Sequence, residues 1–235
     1  MDKIIGFLIS SNPFLAVMRY HAYRVRIFVK KIALNCDYTK KKILDIGAWD
    51  CPYKKFFKKA TYYSQDIVQN NNKTIDYVCD ISLGLVGVED ESFDYILCTQ
   101  VLEHLRKPYV AFQEFSRVLK PGEKIFLTTH QCFEEHMIPD DYFRFTRYGL
   151  KALGEASGLK LVHLAPHGGI FQILALILST LPIKLFLKEG SFWYFAYLIV
   201  FFIPIFLFNS LCLLLDFLDR KKTMTLNFEC IYEKK

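Results

Sequence analysis

The stretch Ile43–Tyr53, Ile-Leu-Asp-Ile-Gly-Ala-Trp-Asp-Cys-Pro-Tyr, reads as an apolar strand that ends in an acid, turns on a glycine and opens a helix at Pro52. A turn of this kind puts helix N-terminal amides beside the carboxyl end of a parallel strand, where open α/β sheets bind nucleotide-like ligands. The acids narrow the ligand. Asp45 and Asp50 repel a pyrophosphate and attract a molecule that carries a cationic amino-acid part and no phosphate.

From Lys42 onward strand and helix patterns alternate, which predicts a largely parallel sheet with helices on its faces. Strands are expected at Ile43–Ile46, Tyr62–Asp66, Tyr77–Cys79, Phe93–Thr99, Lys124–Thr129 and Lys160–Leu164, with Met224–Tyr232 closing the sheet. Helices should fill most of the gaps. Pro108 can open one that runs to Leu119 and is stopped by Lys120, Pro121 and Gly122; Arg147–Ser157 makes another, ended by Gly158. Upstream, Asn12 can cap a helix with Pro13 in its first position. Phe14, Met18, His21, Val25, Phe28 and Ile32 share one face of it, and Arg19, Arg26 and Lys30 the other. Such a helix either lies on lipid or packs its apolar stripe on the domain. The apolar run Ile4–Ile9 lacks a cleavage site and is not a secretory signal. The seven cysteines are scattered, odd in number and without a CxxC pair, as expected for reduced thiols in a cytosolic compartment.

Acids recur after three successive strands, at Asp45, Asp66 and Asp80. With Glu91-Ser92-Phe93-Asp94-Tyr95-Ile96 and Gln100-Val101-Leu102-Glu103-His104-Leu105, this register resembles the class I S-adenosylmethionine-dependent methyltransferases, in particular the branch acting on small molecules, lipids and saccharides. The resemblance covers roughly Lys42–Leu164. It implies a Rossmann-like α/β fold, a seven-stranded and mostly parallel sheet with an antiparallel last strand, and S-adenosyl-L-methionine as cofactor. In the family, Asp45 and Gly47 would border the methionine part, Asp66 the ribose hydroxyls, and Asp80 with Ile81 the adenine; Ala48, Trp49, Ile67, Gln100 and Val101 would complete the cofactor site. Two departures stand out: Trp49 and Cys51 occupy the positions of the family's second and third loop glycines. Trp49 can line the cofactor or pack the loop.

Methyl transfer from a sulfonium releases a neutral thioether, so the protein must align the partners, exclude water and, for a hydroxyl acceptor, remove a proton. The stretch after the fifth strand, from His130 to Arg144, is dense in suitable groups. His130 is the leading base candidate with His136 behind it, since imidazoles titrate near neutrality. Tyr142 and Arg144 could receive an anionic or sugar-bearing acceptor; Asp141 and Arg144 could equally pin the loop. Glu103 and His104 are a common pair in the family, with a role that is as easily structural. Glu134, His136, Asp140 and Asp141 match no ligand spacing, so no metal is expected from sequence.

The basic balance, +6 overall, suits either an anionic membrane or nucleic acid. Nucleic acid is not expected as a partner. Cys98-Thr99-Gln100-Val101 stands where amino-methylating nucleic-acid enzymes resemble one another in an Asn/Asp/Ser-Pro-Pro-aromatic motif, and no Pro-Cys nucleophile is present there. Membrane lipid is expected instead. Ile170–Ile183 and Phe192–Leu215 are uncharged, and as helices they would reach about 21 and about 36 Å, so the second could span a bilayer. Pro182 can end the first and Pro204 kink the second. If Met224–Tyr232 joins the sheet, both ends of the insert lie on one side, so it should be a helical hairpin in, across or on the membrane. Arg220, Lys221 and Lys222 place that side in the cytosol.

The expected organisation is therefore a basic helical region (1–41), a methyltransferase domain (42–168), an apolar membrane-associating insert (169–222) and the closing strand (223–235). The expected protein is a membrane-associated methyltransferase with its catalytic domain on the cytoplasmic face. It would O-methylate a small-molecule, amphiphilic, saccharide or lipid-linked acceptor. Two alternatives stay open: carbon methylation of a quinone-type ring, and an inert membrane-anchored binding protein with a degenerate cofactor loop.

Overall fold

A computed structural model describes residues 19–188 and 190–235. Ile4–Ile9 and the cap and first turns of the amphipathic helix, Asn12, Pro13, Phe14 and Met18, lie outside the described residues. The elements in chain order are α1 (Tyr20–Asn35), β1 (Lys42–Ile46), β2 (Thr61–Asp66), β3 (Tyr77–Val78), β4 (Phe93–Thr99), α2 (Pro108–Val118), β5 (Leu119–His130), α3 (Arg147–Ala156), β6 (Leu159–His167), α4 (Ile170–Phe186), α5 (Phe192–Val200), α6 (Phe202–Leu215) and β7 (Asn227–Lys234). Two compact units result. One comprises Ile27–Ala165 with Phe228–Lys235; the other comprises Pro166–Asn227 with the described residues up to Arg26.

The first unit is built on a seven-stranded sheet in the order β3-β2-β1-β4-β5-β7-β6. β1 pairs in parallel with β2 and β4, β2 with β3 and β4 with β5. β7 runs against its neighbours: its far end meets the start of β5, where Lys234 Nζ donates to the Leu119 carbonyl at 2.8 Å, while Glu229 meets His163 of β6 at 3.1 Å. Strand alternation sends neighbouring side chains to opposite faces. Leu44, Ile46, Ile96, Cys98, Ile125, Leu127, Phe228, Cys230 and Tyr232 meet α2 and α3 through Phe112, Phe115 and Leu150. Ile43, Leu97 and Phe126 face the other way, onto Phe28, Val29 and Ile32 of α1. The apolar stripe of α1 is thus used in packing. Pro108 takes the first turn of α2, and the Thr146 hydroxyl caps α3 by accepting from the Gly149 amide at 3.1 Å.

Three local expectations are corrected. No α-helix opens at Pro52; only a 3-10 turn forms at Lys54–Phe56, because the chain must return to Thr61 too soon for a helix, and α1 covers that face instead. The connections on either side of β3 also lack α-helices, with a single 3-10 turn at Ile81–Leu83. Lys120, Pro121 and Gly122 follow the end of α2 but belong to β5. The partner register jumps from Phe93↔Leu119 to Tyr95↔Lys124, so an irregularity in the ladder absorbs the proline and glycine.

In the second unit the apolar run after Ser191 is not one straight helix. It breaks at Phe201 into α5 and α6, bent by 57° when α6 is followed through Leu218. Pro204 falls in the first turn of α6; it cannot donate to the Val200 carbonyl and its ring crowds that group, so the bend expected at this proline falls one turn ahead of it. Pro182 lies inside α4 and does not end it. Among the described residues no single helix is long and apolar enough to cross a membrane, while the bent pair meets that length and composition together. Polar groups fasten this unit: Asp216 and Asp219 accept from the Gly169 and Ile170 amides at the start of α4, at 2.8 and 2.9 Å, and Ser179 of α4 donates to Asn209 of α6 at 2.8 Å.

Candidate active site

Strand order reverses between β1 and β4, because the chain leaves β1 toward β2 and leaves β4 toward β5. Such a switch point opens a crevice at the carboxyl ends of the strands. Gly47 follows β1 there with φ +65, and a Cβ on it would stand 2.4 Å from Val101 Cγ2, so the two loops touch where only glycine fits. The chain then repeats the left-handed conformation at Trp49 (φ +46) and Cys51 (φ +51). The glycine-type path of the loop persists although its second and third glycines are replaced. Hydrogen bonds impose it: the Ala48 amide donates to the Gln65 carbonyl at 2.9 Å and the Trp49 amide to Asp66 Oδ2 at 2.8 Å. Trp49 is 44% exposed.

Asp66 also accepts from the Ile67 amide at 2.7 Å, which fixes the carboxylate at the end of β2, with the Ile67 side chain exposed beside it. Asp80 caps the next turn by accepting from the Ser82 amide at 2.8 Å. That turn carries Ile81 inward, 3% exposed in the core, and leaves Leu83 and Val86 as the exposed apolar groups of the corner. Asp45 lies deeper than its place in the sequence suggested. Its carboxyl is buried and takes a hydrogen bond from Tyr62 Oη, and burial pushes its pKa up to about 7.

Gln100 ends the crevice on the β4 side with φ +56, its amide donating to the Thr128 carbonyl at 2.9 Å and its Nε2 to Thr128 Oγ1 at 3.1 Å. Its buried Oε1 has no hydrogen-bond partner among the described residues. A buried acceptor is costly unless a donor meets it. The crevice therefore asks for a ligand that brings a hydrogen-bond donor, and a methionine-type ammonium is one.

Beyond Gln100 the chemistry becomes denser. Glu103 is fully buried; its Oε2 accepts from Thr129 Oγ1 at 2.8 Å, and its Oε1 lies 3.6 Å from His130 Nε2 and has no hydrogen-bond partner among the described residues. Burial raises the Glu103 pKa, against the pull of the Thr129 hydroxyl and the charges of His104 and Arg144. His130, at the end of β5, is buried and stacks on Phe133 with ring centroids 4.3 Å apart. His136 returns from the loop to pack perpendicular to His130, with ring centroids 5.3 Å apart. Its Nδ1 stands 3.2 Å from Asp141 Oδ2, and burial lowers its pKa more than Asp141 raises it.

Asp141 is in turn clamped by both terminal nitrogens of Arg144 at 2.7 and 2.6 Å, which hold its carboxyl well below the usual carboxylate range. Arg144 also donates to the Phe133, Phe143 and Glu134 carbonyls. With every guanidinium nitrogen so engaged, this placement makes it the pin of the loop. Tyr142 is more open, its hydroxyl receiving Arg106 Nε at 2.7 Å and donating to Asp140 at 2.6 Å. The structure brings His130 and His136 together and adds Glu103, which sequence left without a role. The available signal was an acid set within the apolar run Val101-Leu102-Glu103-His104-Leu105.

Comparison with known proteins agrees with the fold. A family model described as a methyltransferase domain matches residues 55–127, a span that holds Asp66, Asp80, Gln100 and Glu103. The ubiquinone biosynthesis O-methyltransferase of Idiomarina loihiensis is 36% identical over 59 residues, 25% of this chain and 24% of that protein; the matched stretch is about a quarter of the relative's length. A SAM dependent methyltransferase from Archaeoglobus fulgidus superimposes with a TM-score of 0.57 at 15% identity, covering 89% of this chain and 94% of that one. Phosphoethanolamine N-methyltransferase 2 of Haemonchus contortus, solved with S-adenosyl-L-methionine, gives 0.56 at 14% identity over 90% of this chain and 52% of that one.

Proposed function

We propose that this chain, which has the class I methyltransferase fold and matches a methyltransferase domain model over residues 55–127, is an S-adenosylmethionine-dependent methyltransferase that transfers to oxygen on an amphiphilic, membrane-tethered acceptor, saccharide or lipid-linked. The observation that carries the reading is the rim of the crevice. A left-handed loop at 47, 49 and 51, the fixed carboxylates of Asp66 and Asp80, and the buried acceptor of Gln100 gather at adjacent strand ends. Asp66 would hold the ribose hydroxyls and Gln100 the ammonium; the cofactor, when bound, supplies an electrophilic methyl. The protein's own part is to keep water out and draw a proton from the acceptor. The cluster of Glu103, His130 and His136 is where that proton would be lost.

The apolar helices support the membrane side of the proposal. Phe192, Trp193, Ile199, Val200 and Leu214 are each more than two-thirds exposed, which is costly in water and favourable in lipid. The cytosolic side is favoured by Arg220, Lys221 and Lys222. An O-methyltransferase named for ubiquinone biosynthesis among the relatives is compatible with a lipid-linked acceptor.

Calorimetry of the detergent-purified chain tests the core of this reading. S-adenosylmethionine or its demethylated product should bind, and Asp66→Ala should weaken binding at least tenfold; no heat with either compound overturns it. Radiolabelled methyl should then appear in a glycan or lipid-linked fraction. Label confined to carbon of a quinone ring would instead establish the alternative.

A further inference from the structure

Glu103, in the 3-10 turn after β4, His130, at the end of β5, and His136, in the loop that follows, each offer a ligand atom such that all three atoms lie within 4.8 Å of one another. We propose that they form a binding site for a divalent first-row transition metal ion. This rests on the reading above that the end of β5 is the acceptor side.

Three observations converge. The Glu103 Oε1, in a fully buried side chain, lacks a hydrogen-bond partner among the described residues and stands 3.6 Å from His130 Nε2. An edge of a tetrahedral site with metal–ligand bonds of ~2.1 Å measures about 3.4 Å, so this pair is already spaced as two ligands of one ion. Second, the third ligand is oriented from behind. Asp141 Oδ2 and the Glu134 carbonyl each stand 3.2 Å from His136 Nδ1, which leaves Nε2 as the metal-facing atom, and Arg144 donates to both of these acceptors and keeps them in place. A carboxylate behind a ligand histidine is the usual way a protein fixes its tautomer and ring plane. Third, Phe133 stacked on His130 at an interplanar angle of 11° holds the other imidazole plane.

Donor chemistry selects the ion. Two imidazoles and one carboxylate suit zinc, iron(II) or cobalt(II), whereas magnesium and calcium prefer oxygen ligands. Three protein ligands leave at least one position open, the arrangement of a catalytic rather than a structural site. A cation there places positive charge where an acceptor hydroxyl must shed a proton to solvent.

The test uses the full chain in detergent, stripped with a chelator and titrated with cobalt(II). One equivalent should bind below millimolar concentration, giving visible d–d absorption without the thiolate charge-transfer bands of cysteine ligation, and zinc should displace it. His136→Gln and Glu103→Gln should each weaken binding at least tenfold. Asp141→Asn, which leaves all three ligands in place, should weaken it about ten- to a hundredfold. Should Glu103→Gln fail to fold, His136→Gln, in a half-buried loop, decides the matter alone. Equal cobalt affinity in wild type and His136→Gln, or thiolate bands, overturns the site. Calorimetry with S-adenosylmethionine on the same preparation separates the two readings: cofactor binding without cobalt binding sinks the cation alone, and the reverse sinks the methyltransferase.

Discussion

A carboxylate raised to about 7 inside a sheet is a residue that works against its own fold at neutral pH. Asp45 binds a proton more tightly in the folded chain than in the unfolded one, so its contribution is fully present below about pH 4 and is lost as pH rises through about 7. Asp45→Asn keeps an acceptor for Tyr62 and removes the charge. It should stabilise the chain by about 1–3 kcal/mol at pH 8 and by little at pH 4, read by denaturant unfolding at the two pH values. An equal effect at both would show that burial of the charge is not the cause. Gly47 gives the opposite case. Gly47→Ala forces a left-handed alanine against Val101 and should cost about 2–4 kcal/mol; adding Val101→Ala should return the overpacking part and leave the conformational part, about 1–2 kcal/mol. The places of Asp66, Asp80 and Gly47 at or just past strand ends were legible in the sequence, because an apolar run that stops at an acid or a glycine is a local signal. The depth of Asp45 was not, because it depends on which neighbour, here Tyr62, crosses from β2.

At the scale of elements, strands were legible and connections were not. Phe93–Thr99 was expected and found with the same ends, because an apolar run between turn residues is a local signal. The missing helix after Pro52 is a matter of chain length between strands and of α1 occupying the face. The break at Phe201, by contrast, is the one that Pro204 announces, whereas the packing of α4 against α6, fastened by Ser179 and Asn209, is not written locally. The start of α4 is held by two acids from beyond α6, a cap that no local pattern announces. Asp219→Ala, which frees the Ile170 amide, should lower the stability of this unit by about 1 kcal/mol, seen as an earlier first transition on heating in detergent. Asp216→Ala should cost more, since Lys222 would lose its buried partner. Equal costs would argue that the Lys222 pair is inert.

For the whole molecule, the two tryptophans provide a direct reading of membrane contact. Trp49 lies on the loop after β1 and Trp193 at the start of α5, 69% exposed. In a Trp49→Phe variant the remaining fluorescence reports Trp193 alone. Vesicles with brominated acyl chains should quench it, and anionic vesicles should bind more strongly than neutral ones, by a margin that shrinks with salt. Unquenched Trp193 would overturn the membrane reading while leaving the methyltransferase domain untouched. By itself the sequence determined the alternating fold, the acids at successive strand ends and the existence of an apolar insert, since each is written in local periodicity and composition. Tertiary structure alone decided that the lost loop glycines keep their backbone path, that Arg144 pins a loop, and that Glu103 meets His130 and His136. Those outcomes depend on which strand ends lie side by side, and the sheet order that sets this is a long-range property no short stretch of chain contains.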